Sequence, residues 1–344
     1  MSALQKPHDL LYRYVGNSLA SVLSYINSSL LTKALLAVLV LSILRSANRT
    51  LSSLVVNNWQ RQRPWDNKRE LVLLTGGCSG IGKQIMLDLA QKGVRVVILD
   101  VVEPSFKLPP NVFFYAADVT STAIIKAVGD AIRAAHGDPT VLINNAGVGY
   151  GGTILDEPEE RIQRTFQVNT ISHFWMVREF LPAIIRENHG HVVTMASMAS
   201  FIAVGEMADY CGSKASALAF HEALTQELRL WYNAKKVRTS IVHPLWVSTP
   251  MIEQLTRPGS VFSMPVMTVD VVSSAVVKQI LSQRSGQVIV PSRRSGISLL
   301  RAFPTWLQER ARGVVSKELK ATKAVVIIGS GAAVFAYITE ARGK

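Results

Sequence analysis

The sequence predicts an α/β fold: a doubly wound parallel sheet forming a single domain over residues 68–292, with apolar and basic extensions at residues 1–67 and 293–344. Three observations predict it. Short apolar runs alternate with amphipathic helical patterns through the middle of the chain, the arrangement that yields parallel strands and right-handed crossovers. A glycine-rich turn joins the first apolar run to the first helical pattern. The charge is uneven: 37 Lys and Arg against 24 Asp and Glu give a net charge of +13, and the excess lies beside the ends of the chain. With 48% apolar and 18% charged residues, a disordered chain is excluded. Only two cysteines, Cys78 and Cys211, are present, which excludes a disulfide-stapled scaffold.

At the start of the chain, 31 residues between Arg13 and Arg45 carry one charge, Lys33. The strongest apolar run is Ala34–Leu44. As a helix it rises about 16 Å, whereas a bilayer core is about 30 Å thick. A simple span therefore needs the weaker stretch from Leu19 onward, with Lys33 snorkelling to the interface. The expectation is an in-plane, re-entrant or spanning anchor, weighed against a buried core helix. Arg45, Arg49, Arg61, Arg63, Lys68 and Arg69 come next, against Asp66 and Glu70. This bias puts the downstream chain on the cytosolic side, where the N-x-S/T triplets at Asn27 and Asn48 would have no role.

Leu71–Leu74 reads as a buried parallel strand. It runs into Thr75-Gly-Gly-Cys-Ser-Gly-Ile-Gly82, a helix ending near Gly93, and a second strand, Val94–Asp100. Glycines in such a turn let the backbone approach a pyrophosphate held at the helix N-terminus. Asp100, 24 residues beyond Gly76, stands where an acid grips the adenosine ribose diol. The alternation continues with strands at Val112–Tyr115, Val141–Asn145, His191–Ala196, Val237–His243 and Gln287–Val290. Helices are expected at Ala123–Ala135, Pro158–Asn188, Ala208–Tyr232 and Thr268–Ser282. This is a Rossmann-type arrangement.

After the last strand, Arg284–Lys323 holds nine Lys and Arg against Glu309 and Glu318, with Ile297, Leu299, Leu300, Phe303, Trp306 and Leu307 interleaved. A basic amphipathic segment on anionic lipid is expected; a solvated helix covering the core is the competing reading. Ala324–Thr339 is an uncharged stretch suited to a second membrane contact. No nucleic-acid motif accompanies the charge, and no metal site is expected.

The ordered set TGGCSGIG at 75–82, NNAG at 144–147, Asn169, Ser197 and Tyr210-Cys-Gly-Ser-Lys214 resembles the short-chain dehydrogenase/reductase family over about 225 of 344 residues. Elementary chemistry agrees. Tyr210 and Lys214, at i and i+4, share one helix face. A free tyrosine has a pKa of about 10, and a neighbouring ammonium is expected to lower it. Ser197 closes a strand at the edge where ligands bind in such folds and can hold a substrate oxygen, with Ser200 as its competitor. Tyr210 can then exchange a proton with an alcohol or carbonyl while hydride moves to or from nicotinamide.

The resemblance implies further roles. Gly76, Ser79, Gly80, Ile81 and Gly82 would cradle the pyrophosphate, and Asp118 and Asn145 would stand by the adenine and adenosine ribose. Lys214 would also hold the nicotinamide ribose, Asn169 a water-linked proton path, and Thr249, with Val247, the carboxamide. Leu245 replaces the glycine usual after Pro244, which puts the backbone bend there in question. Asp100 favours NAD over NADP, because a carboxylate repels a 2′-phosphate.

Three segments should border the substrate: Gly149–Gly152, Phe201–Met207 and Leu245–Met267. The last is apolar and Met-rich, which suits a lipophilic alcohol or ketone. The segments HGHVVTMASMAS and GEMADYCGSKASALAF are most similar to the membrane-associated branch of retinol and lipid-droplet hydroxysteroid dehydrogenases. That implies a retinoid, steroid or long-chain lipid substrate at the cytosolic face of the endoplasmic reticulum or a lipid droplet. It also implies a homodimer through the helices near 158–188 and 208–232. A non-catalytic nucleotide-binding scaffold is the alternative.

Overall fold

In a computed structural model of the chain, residues 21–22, 30–61, 63–258 and 260–322 are described. Ala324–Thr339 and most of the stretch from Leu19 to Leu30 lie outside the described residues. Two compact units divide between Val56 and Asn57.

The first unit contains helix α1, Leu30–Val56. Its segment Thr32–Val56 spans 25 residues, with a mean hydropathy of 1.5 over its most apolar window. That is about 38 Å of helix, enough to cross an apolar bilayer core. Leu35, Leu39 and Ile43 are exposed on it. The stretch before Leu30 on which the expectation rested lies mostly outside the described residues, and the described length comes from the C-terminal side of the apolar run. The helix continues past Arg45 and Arg49, because residues 46–56 contain no Gly or Pro to stop it.

The second unit is built on seven strands in the order β3-β2-β1-β4-β5-β6-β7, every adjacent pair parallel. They are β1 (Leu71–Thr75), β2 (Arg95–Asp100), β3 (Val112–Ala116), β4 (Val141–Asn144), β5 (His191–Met195), β6 (Arg238–Pro244) and β7 (Gly286–Val290). The connecting helices are α2 (Gly80–Gln91), α3 (Thr122–His136), α4 (Glu159–Phe166), α5 (Ser172–Arg186), α6 (Ala208–Leu230) and α7 (Val269–Leu281).

Alternate residues of β1 serve opposite faces, as the pleat requires. Val72 and Leu74 join Ile85, Leu89, Val272 and Ile280 from α2 and α7. Leu71 and Leu73 join Ile125, Phe180, Ile184 and Leu224 from α3, α5 and α6. Each fully buried side chain of this kind contributes roughly 2 kcal/mol. The winding reverses between β1 and β4, which opens a crevice beyond their carboxyl ends.

One helix differs from expectation. The pattern from Pro158 to Asn188 forms two helices, α4 and α5, joined by a π-helical turn at Gln167–Ile171. π turns inside helices concentrate at functional sites, and this one carries Asn169.

Residues 292–302 form a 3₁₀ segment, and helix α8 runs over 305–322. One side of this C-terminal segment is committed to the protein. Leu300 and Leu319 are buried. Ser316 Oγ accepts from the Gly205 amide at 3.0 Å, and Arg301 Nε donates to the Phe201 carbonyl at 3.3 Å. The Glu318 carboxylate accepts from the Ser263 amide. Leu299, Phe303, Trp306 and Val314 remain exposed.

Candidate active site

The glycine-rich turn leaves β1 at Thr75, whose Oγ1 accepts from the amides of Asn145 and Ala146 at 3.0 and 2.9 Å. Gly76 and Gly80 both have positive φ, +69° and +51°, which a residue with a Cβ reaches only at a cost. A Cβ on Gly82 would fall 1.9 Å from the Gly76 carbonyl oxygen, so only glycine lets α2 start this close to the turn. The exposed Ser79 precedes α2 but makes no side-chain cap, leaving its hydroxyl and the first amides of α2, including those of Ile81 and Gly82, for an anion.

The turn is held from two sides. Asp100 accepts from the Cys78 and Val102 amides at 2.9 and 3.2 Å. Burial first, and then Asp100, pushes the Cys78 thiol up to about 12, so this cysteine is inert. Asn145 donates its side-chain amide to the carbonyls of Thr75 and Gly76, both at 3.0 Å. Its side chain therefore shapes the turn. Asp118 is engaged by Thr120 and by Arg164 at 3.1 Å. Thr249 lies beside the turn, its Cγ2 3.3 Å from where a Cβ of Gly80 would sit. Val247 is buried and bridges to Met267. Leu245 is not among the residues with positive φ, and its amide donates to Val290 O at 2.9 Å, so no glycine is needed there.

The four proton-handling candidates converge at the carboxyl edges of β4 and β5. Ser197 follows β5; its hydroxyl accepts from the Ala199 amide at 3.1 Å and lies near enough to the Tyr210 phenol to lower its pKa. Tyr210 lies in the first turn of α6, and Lys214 Nζ stands 5.8 Å from its ring centroid. Lys214 is 4% exposed and donates to the Met195 carbonyl at 3.0 Å. Asn169 is fully buried. Its Oδ1 accepts from the Val148 amide at 2.8 Å, and its Nδ2 donates to Val148 O at 2.8 Å and Ser213 Oγ at 3.1 Å. The π turn aims this amide at the loop after β4. Ser200 is spent elsewhere: its hydroxyl is buried and donates to the Lys214 carbonyl at 2.8 Å.

One expectation is corrected. Tyr210 is not lowered by Lys214. Burial pushes its phenol up to about 12, and the nearby Ser197 hydroxyl offsets only part of that rise. The reason is geometric. Lys214 aims its ammonium at the Met195 carbonyl, and its own burial lowers it to about 8. Desolvation disfavours the charged form of both groups. Tyr210 is thus a phenol at neutral pH, set to donate a proton. It must lose that proton before it can act as a base.

Sequence reasoning does not single out His243 or Thr75. His243 Nδ1 contacts the Ser197 carbonyl at 3.0 Å, and burial lowers its pKa to about 4, so it supports Ser197 as a neutral ring. No local pattern marks it, because the contact spans 46 residues. Thr75 carries a signal, since it opens the glycine-rich motif.

Comparison with known proteins agrees with this geometry. Residues 70–259 match the family model described as short chain dehydrogenase. The chain belongs to the short-chain dehydrogenase family. It is 44% identical over 194 residues to Dehydrogenase RED2 of Cochliobolus heterostrophus, covering 56% of this chain and 73% of that one. It is 31% identical over 256 residues to human 17-beta-hydroxysteroid dehydrogenase 13, covering 72% and 82%. A Burkholderia phymatum family member solved with NAD superposes with a TM-score of 0.59 at 24% identity, covering 68% of this chain and 92% of that one. The chain is an oxidoreductase built on a Rossmann sheet.

Proposed function

We propose that this short-chain dehydrogenase interconverts a lipophilic alcohol, a retinoid, steroid or long-chain lipid, with its carbonyl, using NAD in preference to NADP. The observation that carries the reading is the convergence of Ser197, Tyr210, Lys214 and Asn169 beside the glycine-rich turn. A bound nicotinamide dinucleotide supplies the hydride acceptor or donor. The residues fit such a group: the Gly76–Gly82 cradle and the uncommitted Ser79 suit a pyrophosphate, and Asp100 at the end of β2 suits a ribose diol. Ser197 would hold the substrate oxygen, and Tyr210 would donate its proton to a carbonyl or, once ionised, take one from an alcohol. Lys214 would anchor the ribose side of the site, and Asn169 would order the proton path behind it.

The rim supports an apolar substrate. A Cβ on Gly149 would lie 3.1 Å from Tyr210 Cδ2 and 3.2 Å from the Met251 sulfur, so Met251 stands against the reacting centre. Trp246 and Phe262 stack edge-on at 5.2 Å between centroids, while Ile154, Leu155, Met251 and Val261 are exposed. Helix α1 supports membrane attachment, with the cytosolic face of the endoplasmic reticulum or a lipid droplet as the location. Exposed Phe174, Leu230 and Trp231 on or beside α5 and α6 support a homodimer.

Purified full-length protein should oxidise at least one of retinol, estradiol and a long-chain alcohol with NAD. Tyr210→Phe should cut that turnover by about 10³-fold or more while leaving the melting temperature near the parent's; persistent turnover would overturn the assignment. Asp100→Arg should move the ratio of kcat/KM for NAD over NADP toward NADP by about 10²-fold. An unchanged ratio would remove Asp100 from the cofactor site.

A further inference from the structure

A second cleft lies at the opposite, amino edge of the sheet, with a volume of about 400 Å³. Its lining includes Trp59, Arg61, Arg63, His189, Lys236 and Arg238, and no Asp or Glu. Arg238 opens β6 and is only 3% exposed. Among the described residues, its guanidinium donates to backbone carbonyls alone: Asn57 at 2.9 Å, and Gln60 and Arg61 at 3.4 Å. Among the described residues, no carboxylate pairs with Arg61, Arg63, Lys236 or Arg238. The one nearby acid, Glu70, is buried behind His189 and spent on Arg69, His189 and Thr140. A buried, unpaired cation is costly. Burial alone lowers the pKa of Arg238.

The cleft is built. Asn58 and Trp59 both have positive φ, 54° and 57°, a conformation that costs a residue with a Cβ about 1–2 kcal/mol. The segments leading into β6 and β7 hold this turn. Asn57 Oδ1 accepts from the Ser285 amide at 2.9 Å, and Asn58 Nδ2 donates to Lys235 O at 3.1 Å. The turn carries Arg61 and Arg63 to the mouth of the cleft, beside the exposed Trp59.

We propose that this cleft is a phosphate-binding site, with a lipid headgroup or a free phosphate compound as the source. Guanidinium forks recognise phosphate oxygens by paired hydrogen bonds, and Lys236 adds a point charge. The cleft's place in the chain favours a lipid. Trp59 follows the last residue of α1 by three positions, at most about 11 Å of chain. The headgroup layer beyond a bilayer core is about 5–7 Å deep. If α1 enters a membrane, the cleft is tethered near the depth where phosphates lie, and tryptophan favours that depth.

The test uses full-length protein in dodecyl maltoside micelles, titrated calorimetrically with inorganic phosphate, glycerol 3-phosphate, dioctanoyl phosphatidic acid and dioctanoyl phosphatidylcholine. The comparison variant is Arg63→Gln/Lys236→Gln, both exposed positions outside the catalytic machinery. Phosphatidic acid binding about tenfold tighter than inorganic phosphate, and weakened about tenfold or more in the variant, identifies a lipid headgroup. Glycerol 3-phosphate or inorganic phosphate binding as tightly as the lipid, with the same loss, identifies a free phosphate. No binding by any phosphate probe, or binding that the variant leaves unchanged, overturns the site. An unaltered melting temperature and dinucleotide affinity show that the variant is folded.

Discussion

The two edges of the sheet treat buried charge differently. At the carboxyl edge, Lys214 and Tyr210 are desolvated with few partners, and both are driven toward their neutral forms. At the amino edge, Glu70 is fully buried but remains ionised. Burial raises its pKa, yet hydrogen bonds from His189, Thr140 and Arg69 outweigh that and hold it down to about 2. The difference lies in how many donors the fold supplies. A fully served carboxylate is structure, whereas an underserved pair can still exchange a proton with a ligand.

Substitutions at each edge can break this contrast. Of the two buried charged groups, Lys214 is expected to show the larger effect on turnover. Lys214→Met keeps the volume and removes the charge, and should lower kcat/KM by about 10²–10³-fold with little change in stability. A large loss of stability with kcat intact would make Lys214 a structural residue like Glu70. Alcohol oxidation by the parent should rise with pH, because the phenol, pushed up to about 12, must ionise to act as base. A rate that is flat from pH 6 to 9 would contradict this.

Glu70→Gln should show the reverse pattern. The folded-state pKa of Glu70 lies below its ordinary value of 4.5, at about 2. Its stabilisation is therefore present above pH 4.5 and lost as pH falls toward 2. The shift corresponds to about 3 kcal/mol at neutral pH. Urea denaturation should show a loss of that order in the variant, with kcat preserved. Equal stability at pH 7 would sink the claim.

The smallest effect is expected at Ser200. Ser200→Ala removes one buried hydrogen bond to the Lys214 carbonyl and should cost about 1 kcal/mol. Its rate should stay within a few-fold of the parent's, whereas Ser197→Ala should nearly abolish turnover. A severe rate loss in Ser200→Ala alone would exchange the two roles.

Most of the strand and helix order is legible in the chain. Buried parallel strands need continuous apolar runs, and Leu71–Leu74, Val141–Ile143 and Val192–Val193 are such runs. The glycine-rich turn is legible for a steric reason, as the Gly82 contact shows. The break in the long helix at Asn169 is not, because residues 158–188 keep helical periodicity through it. What draws the backbone into a π turn is the pairing of the Asn169 amide with Val148, 21 residues away. The length of α1 is hidden for a simpler reason: Arg45 and Arg49 read as the flank of an apolar run, yet arginine is a good helix former.

The sequence by itself determined the doubly wound sheet, the glycine-rich turn and the sharing of one helix face by Tyr210 and Lys214, since each depends on local periodicity or on the steric demands of glycine. Tertiary structure alone decided that the Ser200 hydroxyl is spent on the Lys214 carbonyl, that Tyr210 is a phenol at neutral pH, and that Arg61, Arg63, Lys236 and Arg238 share one cleft. Desolvation and charge pairing are set by residues distant in sequence, and a linear pattern does not contain that information.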